Sequence, residues 1–289
     1  MTYSQLWRQL TPLYDEAEAK AIVRLVMEER FGIGLTDLLC GAAEEMGEAK
    51  TNDLEGVMAR LSEGEPVQYV LGQAVFMGRA FHVEKGVLVP RPETETLCRW
   101  VLDEGMTPGC RVLDIGCGSG CIAVTLSLEG DGAEVTAWDI SPKALEVTEG
   151  NARRFGAKVS TERVDILERA KASSPDGAAV WDVVVSNPPY ICKREAVGMH
   201  PNVLGHEPHE ALFVPDGQPL LFYEAIAQYS LLALKAGGKL FFECNPAHLS
   251  ETAEMLRQKG YGDVTALDDP FGKTRFLKAV APSRKNQPS

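Results

Sequence analysis

From residue 110 onward, short apolar runs alternate with segments of helical periodicity, and this alternation limits the choice of fold more than any other feature of the chain. A helix between two strands supplies the crossover that parallel strands need. We therefore predict an α/β fold with a mostly parallel, Rossmann-like sheet and helices on both faces. The strands are predicted over residues 110–115, 134–138, 158–164, 181–186 and 239–243, and near Val264 and Phe276. The helices are predicted over residues 121–128, 142–155, 220–234 and 249–259.

The beginning of the chain shows only helical patterns. Apolar residues such as Ile22 and Val26 recur there at helical spacing. Asn52 and Asp53 have the side chains of an N-cap for a third helical segment, and Gly64 is typical of the residue that ends one. These features predict a small helical bundle.

Changes in composition divide the chain into four parts. Residues 1–72 form the predicted helical bundle, and residues 73–90, rich in β-branched and aromatic side chains broken by glycine, form a predicted β-hairpin linker. Residues 91–281 carry the predicted α/β domain. Residues 282–289 are polar and contain proline, so we expect a disordered tail.

Charge and cysteine content argue against several classes of protein. The 289 residues carry 29 basic and 41 acidic side chains, a net charge of −12, whereas proteins that grip nucleic acid present a basic surface. We therefore expect no direct nucleic-acid partner. No run approaches the roughly 18 apolar residues of a membrane span, and the N-terminal segment lacks the features of a secretory signal. Seven cysteines, an odd number, favour reduced thiols, so we expect a cytoplasmic protein without a membrane partner.

A glycine-rich turn follows the first predicted strand. The run from Asp114 to Gly120 reads Asp-Ile-Gly-Cys-Gly-Ser-Gly, and glycines without a Cβ let a ligand approach the backbone. A dinucleotide-binding fingerprint fits less well, because Cys121 stands where glycine or alanine is needed. A purely structural turn is the other alternative. The pattern resembles the first motif of Rossmann-like methyltransferases that use S-adenosylmethionine, which implies cofactor contacts from Asp114, Gly116, Cys117, Gly118, Ser119 and Gly120.

Acidic residues end the next two predicted strands. Asp139 ends the second, where a carboxylate can accept hydrogen bonds from the ribose hydroxyls of a nucleoside. Its alternative role is to cap the following helix, for which Ser141 competes. Asp165 ends the third strand, where we expect it to meet the adenine amino group, with Ile166 against the ring. An Asp that merely ends a strand is the alternative there.

The fourth predicted strand ends in Asn187-Pro188-Pro189-Tyr190, the most specific motif of the chain. Two consecutive prolines lack N–H donors and stiffen the backbone. The Asn187 side chain and the Pro188 carbonyl offer two acceptors, and Tyr190 offers a flat ring, which together suit a planar substrate with an –NH₂ group. We predict Asn187, Pro188 and Tyr190 as catalytic residues, Pro189 as a further substrate contact, and Asn187 also as a cofactor contact. The alternative is a rigid turn without a ligand.

The glycine turn and Asn-Pro-Pro-Tyr together resemble amino-directed methyltransferases, and flanking segments narrow the choice. Residues 64–72 (GEPVQYVLG), residues 88–95 (LVPRPETE), Glu207-Pro208 with Ala211-Leu212, and the helix around Tyr223 resemble the release factor glutamine methyltransferases, the PrmC/HemK family. The resemblance covers nearly the whole chain. It implies the class I methyltransferase fold and S-adenosylmethionine as cofactor. It also implies methyl transfer to the side-chain amide nitrogen of glutamine in the Gly-Gly-Gln motif of peptide chain release factors.

Two positions depart from the family pattern. Glu243-Cys244-Asn245 stands where the family more often has Glu followed by a glycine-containing pair, and Ile166 stands where some relatives place an aromatic residue. The first change affects an edge of the predicted site, and the second weakens the expected packing against adenine.

Three other functions stay open. A ribosomal-protein glutamine methyltransferase would use the same motifs, as would a nucleic-acid adenine N6-methyltransferase, which the negative charge disfavours. A cofactor-binding regulator without turnover leaves Asn-Pro-Pro-Tyr unexplained. Residues 1–75 carry a net charge of −7, with 6 basic and 13 acidic side chains, so we predict that the helical domain recognises the protein substrate. A domain that only covers apolar surface is the alternative.

A histidine-containing segment invites comparison with metal sites. His200, His206 and His209 lie close together in sequence, but they do not form H-E-x-x-H, and Pro208 would disrupt the helix which that motif needs. The cysteines at positions 110, 117 and 121 lack paired C-x₂-C spacing. We expect no metal, and a polar loop beside the active site.

Overall fold

The computed structural model describes residues 1–104, 106–172 and 179–283. Its first part holds five helices whose apolar faces meet in one core cluster around Leu6, Val23 and Leu61. These helices are α1 (Tyr3–Leu10), α2 (Glu16–Phe31), α3 (Leu35–Leu39), α4 (Glu48–Ser62) and α5 (Val67–Leu71).

The predicted start of the third helical segment at Asn52 and Asp53 is wrong. This segment is α4, which begins at Glu48 after a glycine in the N-cap position. The Asp53 carboxylate instead accepts two hydrogen bonds from the Arg30 guanidinium, at 2.7 and 2.8 Å. The Asp53 side chain, predicted to cap a helix, therefore forms a bidentate ion pair between α2 and α4. The end of the helix is as predicted, because Gly64 follows it in the left-handed region at φ = 84°.

A short hairpin follows the helices. Its strands, β1 (Gln73–Phe76) and β2 (Arg79–His82), form a two-stranded sheet. Met77 and Gly78 between them both have positive φ, 47° and 72°, the combination that a type I′ turn needs. The Met77 N–H donates to the Glu95 carboxylate at 2.9 Å, which holds a residue without glycine's freedom in this conformation.

The remainder alternates strands and helices. In chain order the elements are α6 (Thr94–Glu104), β3 (Arg111–Ile115), α7 (Cys121–Glu129), β4 (Glu134–Asp139), α8 (Pro142–Phe155), β5 (Val159–Arg163), α9 (Ile166–Arg169), β6 (Trp181–Ser186), β7 (Ile191–Cys192), α10 (Pro201–His206), α11 (His209–Leu212), β8 (Phe213–Val214), α12 (Leu221–Ala233), β9 (Leu234–Glu243), α13 (Leu249–Gln258), β10 (Gly262–Asp268) and β11 (Thr274–Val280). Two 3₁₀ helices cover Lys193–Gly198 and Pro246–His248.

Seven of these strands form one sheet in the order β10-β11-β9-β6-β3-β4-β5. β9, β6, β3, β4 and β5 run parallel, and β11 pairs antiparallel with both β9 and β10. The predicted mostly parallel sheet is therefore confirmed. The chain proceeds from β3 outward to β5 and then returns to place β6 on the other side of β3. That reversal opens a crevice at the carboxyl ends of the central strands.

The central strands are buried on both faces, and successive side chains enter two different core clusters. Val112 of β3 packs into one cluster and Leu113 into the other. Phe241 and Phe242 of β9 divide in the same way. Burial on both sides explains why these strands read as continuous apolar runs in the sequence.

β9 begins five residues before its predicted start at Lys239. The residues from Lys235 to Gly237 are exposed and include a glycine at φ = 75°, so they lack the apolar pattern of a strand. They nevertheless belong to β9, which begins at Leu234 opposite Trp181. The pairing passes from Trp181 opposite Leu234 to Val183 opposite Lys239, so the extra residues form an irregularity in β9.

The chain forms two compact units. Unit 1 comprises Met1–Gln73, Val83–Lys85 and Met199–Glu207, and unit 2 comprises Ala74–His82, Gly86–Gly198 and Pro208–Ser289. Unit 1 is therefore discontinuous in sequence. The predicted tail, residues 282–289, lies outside the described residues beyond Ser283.

Candidate active site

Unit 2 contains a cavity at the carboxyl ends of its central strands. Its volume is about 260 Å³. Residues that directly follow or end β3, β4, β5 and β6 line it, among them Gly116, Asp139, Asp165 and Asn187. The reversal of strand order at β3 brings these four chain segments together, as the sequence motifs require.

The glycine turn after β3 presents bare backbone to this cavity. Gly116 and Gly118 have φ of 77° and 55°, which side-chain-bearing residues rarely adopt. A Cβ built on either would meet no atom within 4 Å, so open space lies where a side chain would be. The turn is a cradle that a ligand can fill.

Two buried side chains of α8 hold this turn. The Thr148 hydroxyl donates to the Gly118 carbonyl at 3.1 Å, and the Asn151 amide donates to the Ser119 carbonyl at 2.9 Å. Asn151 also bonds both the N–H and the carbonyl of His82, at 2.8 and 3.0 Å. Neither residue was predicted from the sequence, since a polar residue inside a helix gives no signal of its partner.

Asp139 stands beside the turn at the end of β4. Its Oδ2 accepts the Gly118 N–H at 3.0 Å, and its Oδ1 accepts the Ser141 N–H at 2.9 Å. Burial, the largest cause, raises the pKa of this carboxyl. Ser141, not Asp139, caps α8 by accepting the Ala144 N–H. Two bonds leave a carboxylate with further acceptor positions, so Asp139 can still take hydroxyl donors from a ligand.

Asp165 and Ile166 line the cavity after β5. Asp165 is the N-cap of α9, accepting the N–H groups of Leu167 and Glu168 at 2.9 and 3.4 Å. Both bonds use Oδ1, which leaves Oδ2 for a ligand. The cap and the predicted contact to an adenine amino group are therefore compatible.

Asn187 and the prolines that follow it form the cavity wall after β6. The Asn187 Nδ2 donates to the Thr94 hydroxyl at 3.3 Å, and that hydroxyl donates to Glu243 Oε2 at 2.7 Å. The Tyr190 hydroxyl donates to Glu243 Oε1 at 3.2 Å. The Asn187 amide is thus held by groups from α6 and β9.

Most of the predicted site residues share this cavity, and three do not line it. Asp114 is fully buried within β3, where its Oδ2 accepts the Ala123 N–H at 3.1 Å. Gly120 packs against Thr148 instead of facing open space. Tyr190 is directed to Glu243, with its ring against the core. Those that line the cavity are Gly116, Cys117, Gly118, Ser119, Asp139, Asp165, Ile166, Asn187, Pro188 and Pro189.

The cavity has a further wall, whose residues belong to none of the three strand-end motifs. It is formed by Leu88, Pro90, Arg91, Thr94, Pro208, Glu210, Ala211, Phe222 and Ile226. The segments 88–95 and 207–212 carry the family resemblance, which is the signal that could have placed them in the site.

The histidine segment divides between the two units, which corrects the expectation of a single polar loop beside the site. His200 stacks on Tyr14 with ring centroids 5.3 Å apart, and its Nε2 lies 3.2 Å from the Leu13 carbonyl. His206 Nε2 lies 3.3 Å from the Glu63 carbonyl. These partners all belong to unit 1, whereas Pro208, Glu210 and Ala211 line the cavity in unit 2. Across the described ranges, no three or more His, Cys, Asp or Glu side chains are grouped to hold a metal ion.

No helix in the described part of the chain is long and apolar enough to cross a membrane. All seven cysteines are free, and six of them are buried.

Comparisons with known proteins agree with this geometry. Residues 95–212 match the family model of the methyltransferase small domain, and residues 5–72 match that of the PrmC N-terminal domain. A solved structure of a methyltransferase from Pyrococcus furiosus is 17% identical, with a TM-score of 0.52, and the match covers 79% of this chain and 99% of that one. That likeness shows the fold.

Curated relatives show the family. A release factor glutamine methyltransferase from Bacteroides thetaiotaomicron is 40% identical over 274 residues, which cover 94% of this chain and 96% of the relative. One from Streptococcus pneumoniae is 32% identical, covering 95% of each chain, and one from Bacillus subtilis is 34% identical, covering 88% of each. Identity at this level over both units, together with the Asn-Pro-Pro-Tyr wall and the glycine cradle, places the chain: it belongs to the release factor glutamine methyltransferase family.

Proposed function

We propose that this chain transfers a methyl group from S-adenosylmethionine to the side-chain amide nitrogen of the glutamine in the Gly-Gly-Gln motif of peptide chain release factors. The observation that carries the proposal is the position of Asn187 and Pro188 in the wall of the cavity that the glycine cradle also lines. Acceptors for an –NH₂ group and a cradle for a nucleoside cofactor thus share one space.

The donor set of the cavity fits S-adenosylmethionine. Asp139 supplies acceptors suited to ribose hydroxyls, Asp165 supplies one for an exocyclic amine, and Ile166 supplies an apolar surface. The open space beside Gly116 and Gly118 admits a ligand against the backbone. When bound there, the cofactor supplies an electrophilic methyl group on a sulfonium centre.

The Asn-Pro-Pro-Tyr wall acts on the substrate amide. An amide nitrogen is a poor nucleophile because its lone pair is shared with the carbonyl. Asn187 Oδ1 and the Pro188 carbonyl would accept its two N–H bonds, orienting the nitrogen and raising its electron density. Orientation of this kind supplies roughly 7–11 kcal/mol in favourable cases. No strong base is needed beforehand, because the amide proton would become acidic only as the N–C bond forms and the methyl carbon leaves sulfur, and that proton would then be released to solvent.

The charge of the protein favours a protein acceptor over nucleic acid. A net charge of −12 opposes approach to a polyanion. A ribosomal-protein glutamine is the second candidate acceptor, since it would present the same amide group. Release factors act in the cytoplasm, which the free thiols also suit.

A parallel transfer assay tests the proposal. The full-length protein receives S-adenosylmethionine with a labelled methyl group and, separately, a release factor, ribosomal proteins and DNA. We expect label only on the release factor, and no label on a release factor whose Gly-Gly-Gln glutamine is replaced by alanine. Label on the ribosomal proteins alone, or on DNA, would contradict the proposed substrate.

Substitution of Asn187 tests the chemistry. Asn187→Ala removes the acceptor for the substrate amide, so we expect single-turnover methylation to fall by about a hundredfold or more. Cofactor affinity, measured by calorimetry, should fall much less. Methylation within a few-fold of the parent would show that Asn187 does not hold the substrate.

A further inference from the structure

A buried carboxylate lies behind the Asn-Pro-Pro-Tyr wall, with no direct place in the chemistry described above. Glu243 at the end of β9 is only 1% exposed, and Thr94 on α6 is 2% exposed. Thr94 stands between Glu243 and Asn187, bonded to each at 2.7 and 3.3 Å. Tyr190 donates to the other oxygen of the same carboxylate.

The protons of this chain of hydrogen bonds have only one arrangement when Glu243 is ionised. A carboxylate only accepts, so both Thr94 and Tyr190 must donate to it. A hydroxyl has one proton, so Thr94 then has only lone pairs to offer Asn187. Asn187 must therefore present its Nδ2 to Thr94, and its Oδ1 is left for the ligand side.

Protonation of Glu243 would change the donors and acceptors along this chain of hydrogen bonds. A protonated Glu243 would donate to one of its two neighbours. If it donates to Thr94, that hydroxyl can donate onward to Asn187, which stabilises the flipped amide with Oδ1 towards Thr94. The flipped amide would turn its own NH₂ group towards the N–H bonds of the substrate. Two donors would then face each other, and no hydrogen bond would form.

We propose that Glu243, acting through Thr94, is a positioning residue which sets the orientation of the Asn187 amide and so makes the cavity wall an acceptor. The inference rests on the proposed function, because it assigns the acceptor to a glutamine amide. Beyond that function, the Glu243–Thr94 pair selects between the two orientations of the Asn187 amide.

The surroundings of Glu243 determine when it is ionised. Burial, the largest cause, raises its pKa, and the nearby Glu93 acts in the same direction. The hydrogen bonds from Thr94 and Tyr190 and the charge of Arg275 oppose this. Burial raises the pKa of the neighbouring thiols and of the Tyr190 hydroxyl, so these groups stay protonated. The thiols whose pKa the charge of Glu243 also raises belong to Cys98, Cys121 and Cys244.

The orientation of the Asn187 amide should depend on pH through the ionisation of Glu243. The acceptor orientation is favoured above the pKa of Glu243 and is lost as the pH falls through it. Turnover of the wild-type protein should therefore fall on the acidic side, while the release factor KM changes little.

Variants at the two buried positions test the proposal in the full-length protein. Thr94→Val keeps the shape but removes the hydroxyl, and we expect kcat to fall by about tenfold to a hundredfold, as for a misoriented reacting group. Thr94→Ser restores the hydroxyl and should recover most of the loss. Glu243→Gln cannot ionise, so its kcat should lose the acidic limb of the pH profile.

The matched control is Thr96→Val, the same substitution two positions along α6, at a partly exposed side chain. It should leave kcat and the pH profile unchanged. The proposal is overturned if Thr94→Val keeps kcat within twofold of Thr96→Val, or if Glu243→Gln keeps the acidic limb. Should Glu243→Gln fail to fold, the Thr94 pair decides alone.

Transfer by the wild-type protein distinguishes failure of the proposed function from failure of the positioning role. No transfer to the release factor by the wild-type protein would overturn the proposed function and this inference with it. Wild-type transfer with an unaffected Thr94→Val variant would overturn only the positioning role. A readout without turnover is the pair of ¹H–¹⁵N side-chain resonances of Asn187, which should shift with pH in the wild type and stay constant in Glu243→Gln.

Discussion

Single carboxylates around the cavity combine two tasks, and Asp139 shows this best. Its side chain ties down the turn through the Gly118 N–H and the start of α8 through the Ser141 N–H. It also lines the cavity where a ribose would bind. Its substitution should therefore lower ligand affinity and also loosen the turn.

We expect Asp139→Ala to weaken S-adenosylmethionine binding by about 1.5–3 kcal/mol, the value of a hydrogen bond to a charged group. That loss is about tenfold to a hundredfold in affinity. Asp139→Asn keeps one acceptor oxygen and should give an intermediate loss. Isothermal titration calorimetry measures both, and unchanged affinity in a folded Asp139→Ala variant would remove this residue from the site.

The buried carboxyl of Asp114 should make the stability of the protein depend on pH. It is fully buried, and its Oδ1 has no hydrogen-bond partner among the described residues. Burial, the largest cause, raises the pKa of this carboxyl from 3.8 to about 7. A folded-state pKa above the unfolded value means that the stability contributed by the protonated group is complete below pH 4 and is lost as the pH rises through 7.

We expect Asp114→Asn to gain melting temperature relative to the wild type as the pH rises from 5 to 8. The full shift is worth roughly 4 kcal/mol at about 1.4 kcal/mol per pKa unit, and roughly 3 kcal/mol of it falls between pH 5 and pH 8. Thermal denaturation across this range measures the difference, with Asp131→Asn, an exposed site in the same unit, as the control. A difference that stays constant with pH would contradict the assignment.

At the scale of elements, two glycines of the turn after β3 have the same backbone conformation but different roles. Gly116 and Gly120 share a φ of 77°. A Cβ on Gly116 would enter open space, whereas a Cβ on Gly120 would lie 2.8 Å from Thr148 Cγ2 and 3.1 Å from Thr148 Cα. The first glycine keeps room for a ligand, and the second allows α7 to pack closely against α8.

We therefore expect the two alanine variants to differ. Both incur the left-handed cost of about 1–2 kcal/mol. Gly120→Ala should lose additional stability because the Thr148 backbone cannot yield, and Gly116→Ala should lose cofactor affinity instead. Urea unfolding and calorimetry together check this, and equal midpoints for the two variants would show that the Thr148 contact is not limiting.

At the scale of the whole molecule, the two units have different charge and different candidate roles. Unit 1 includes most of the acidic first 75 residues, and Glu44, Glu45 and Glu48 are exposed there. Because the acceptor is a protein, a contact surface remote from the reacting atom can supply binding energy. We propose this role for the helical unit.

The test neutralises the three glutamates together in the full-length protein. We expect the triple Glu→Gln variant to raise the KM for intact release factor and to reduce its salt sensitivity, since exposed charges are screened beyond about 10 Å at 0.1 M salt. Kinetics on a short Gly-Gly-Gln peptide should not change. The matched control neutralises three exposed acids of unit 2, Asp131, Glu254 and Asp263. Equal effects on peptide and protein would contradict a recognition role.

Local patterns predicted the parts of the fold that depend on neighbours in sequence. The limits of β6 and α8 agree with their predictions, because an apolar run and a proline start are local signals. α1 and α5 were not predicted as separate helices, since short segments depend on packing for their stability. The predicted start of α4 was wrong, since the helix begins at Glu48 and Asp53 within it binds Arg30, 23 residues away.

The sequence by itself determined the parallel sheet, the glycine turn, and the position of Asp139 and Asn187 at one edge of the sheet, because residues that end parallel strands lie at the same edge. Only the tertiary structure decided what stands behind them. Thr94 and Glu243 are 149 positions apart and meet through the fold, as do Asn187 and Thr94, 93 positions apart. The same holds for Met199–Glu207, which joins unit 1 from the middle of the chain. Motif spacing records contacts within a turn or between adjacent strand ends, whereas buried partners from distant segments follow from packing, which no local pattern encodes.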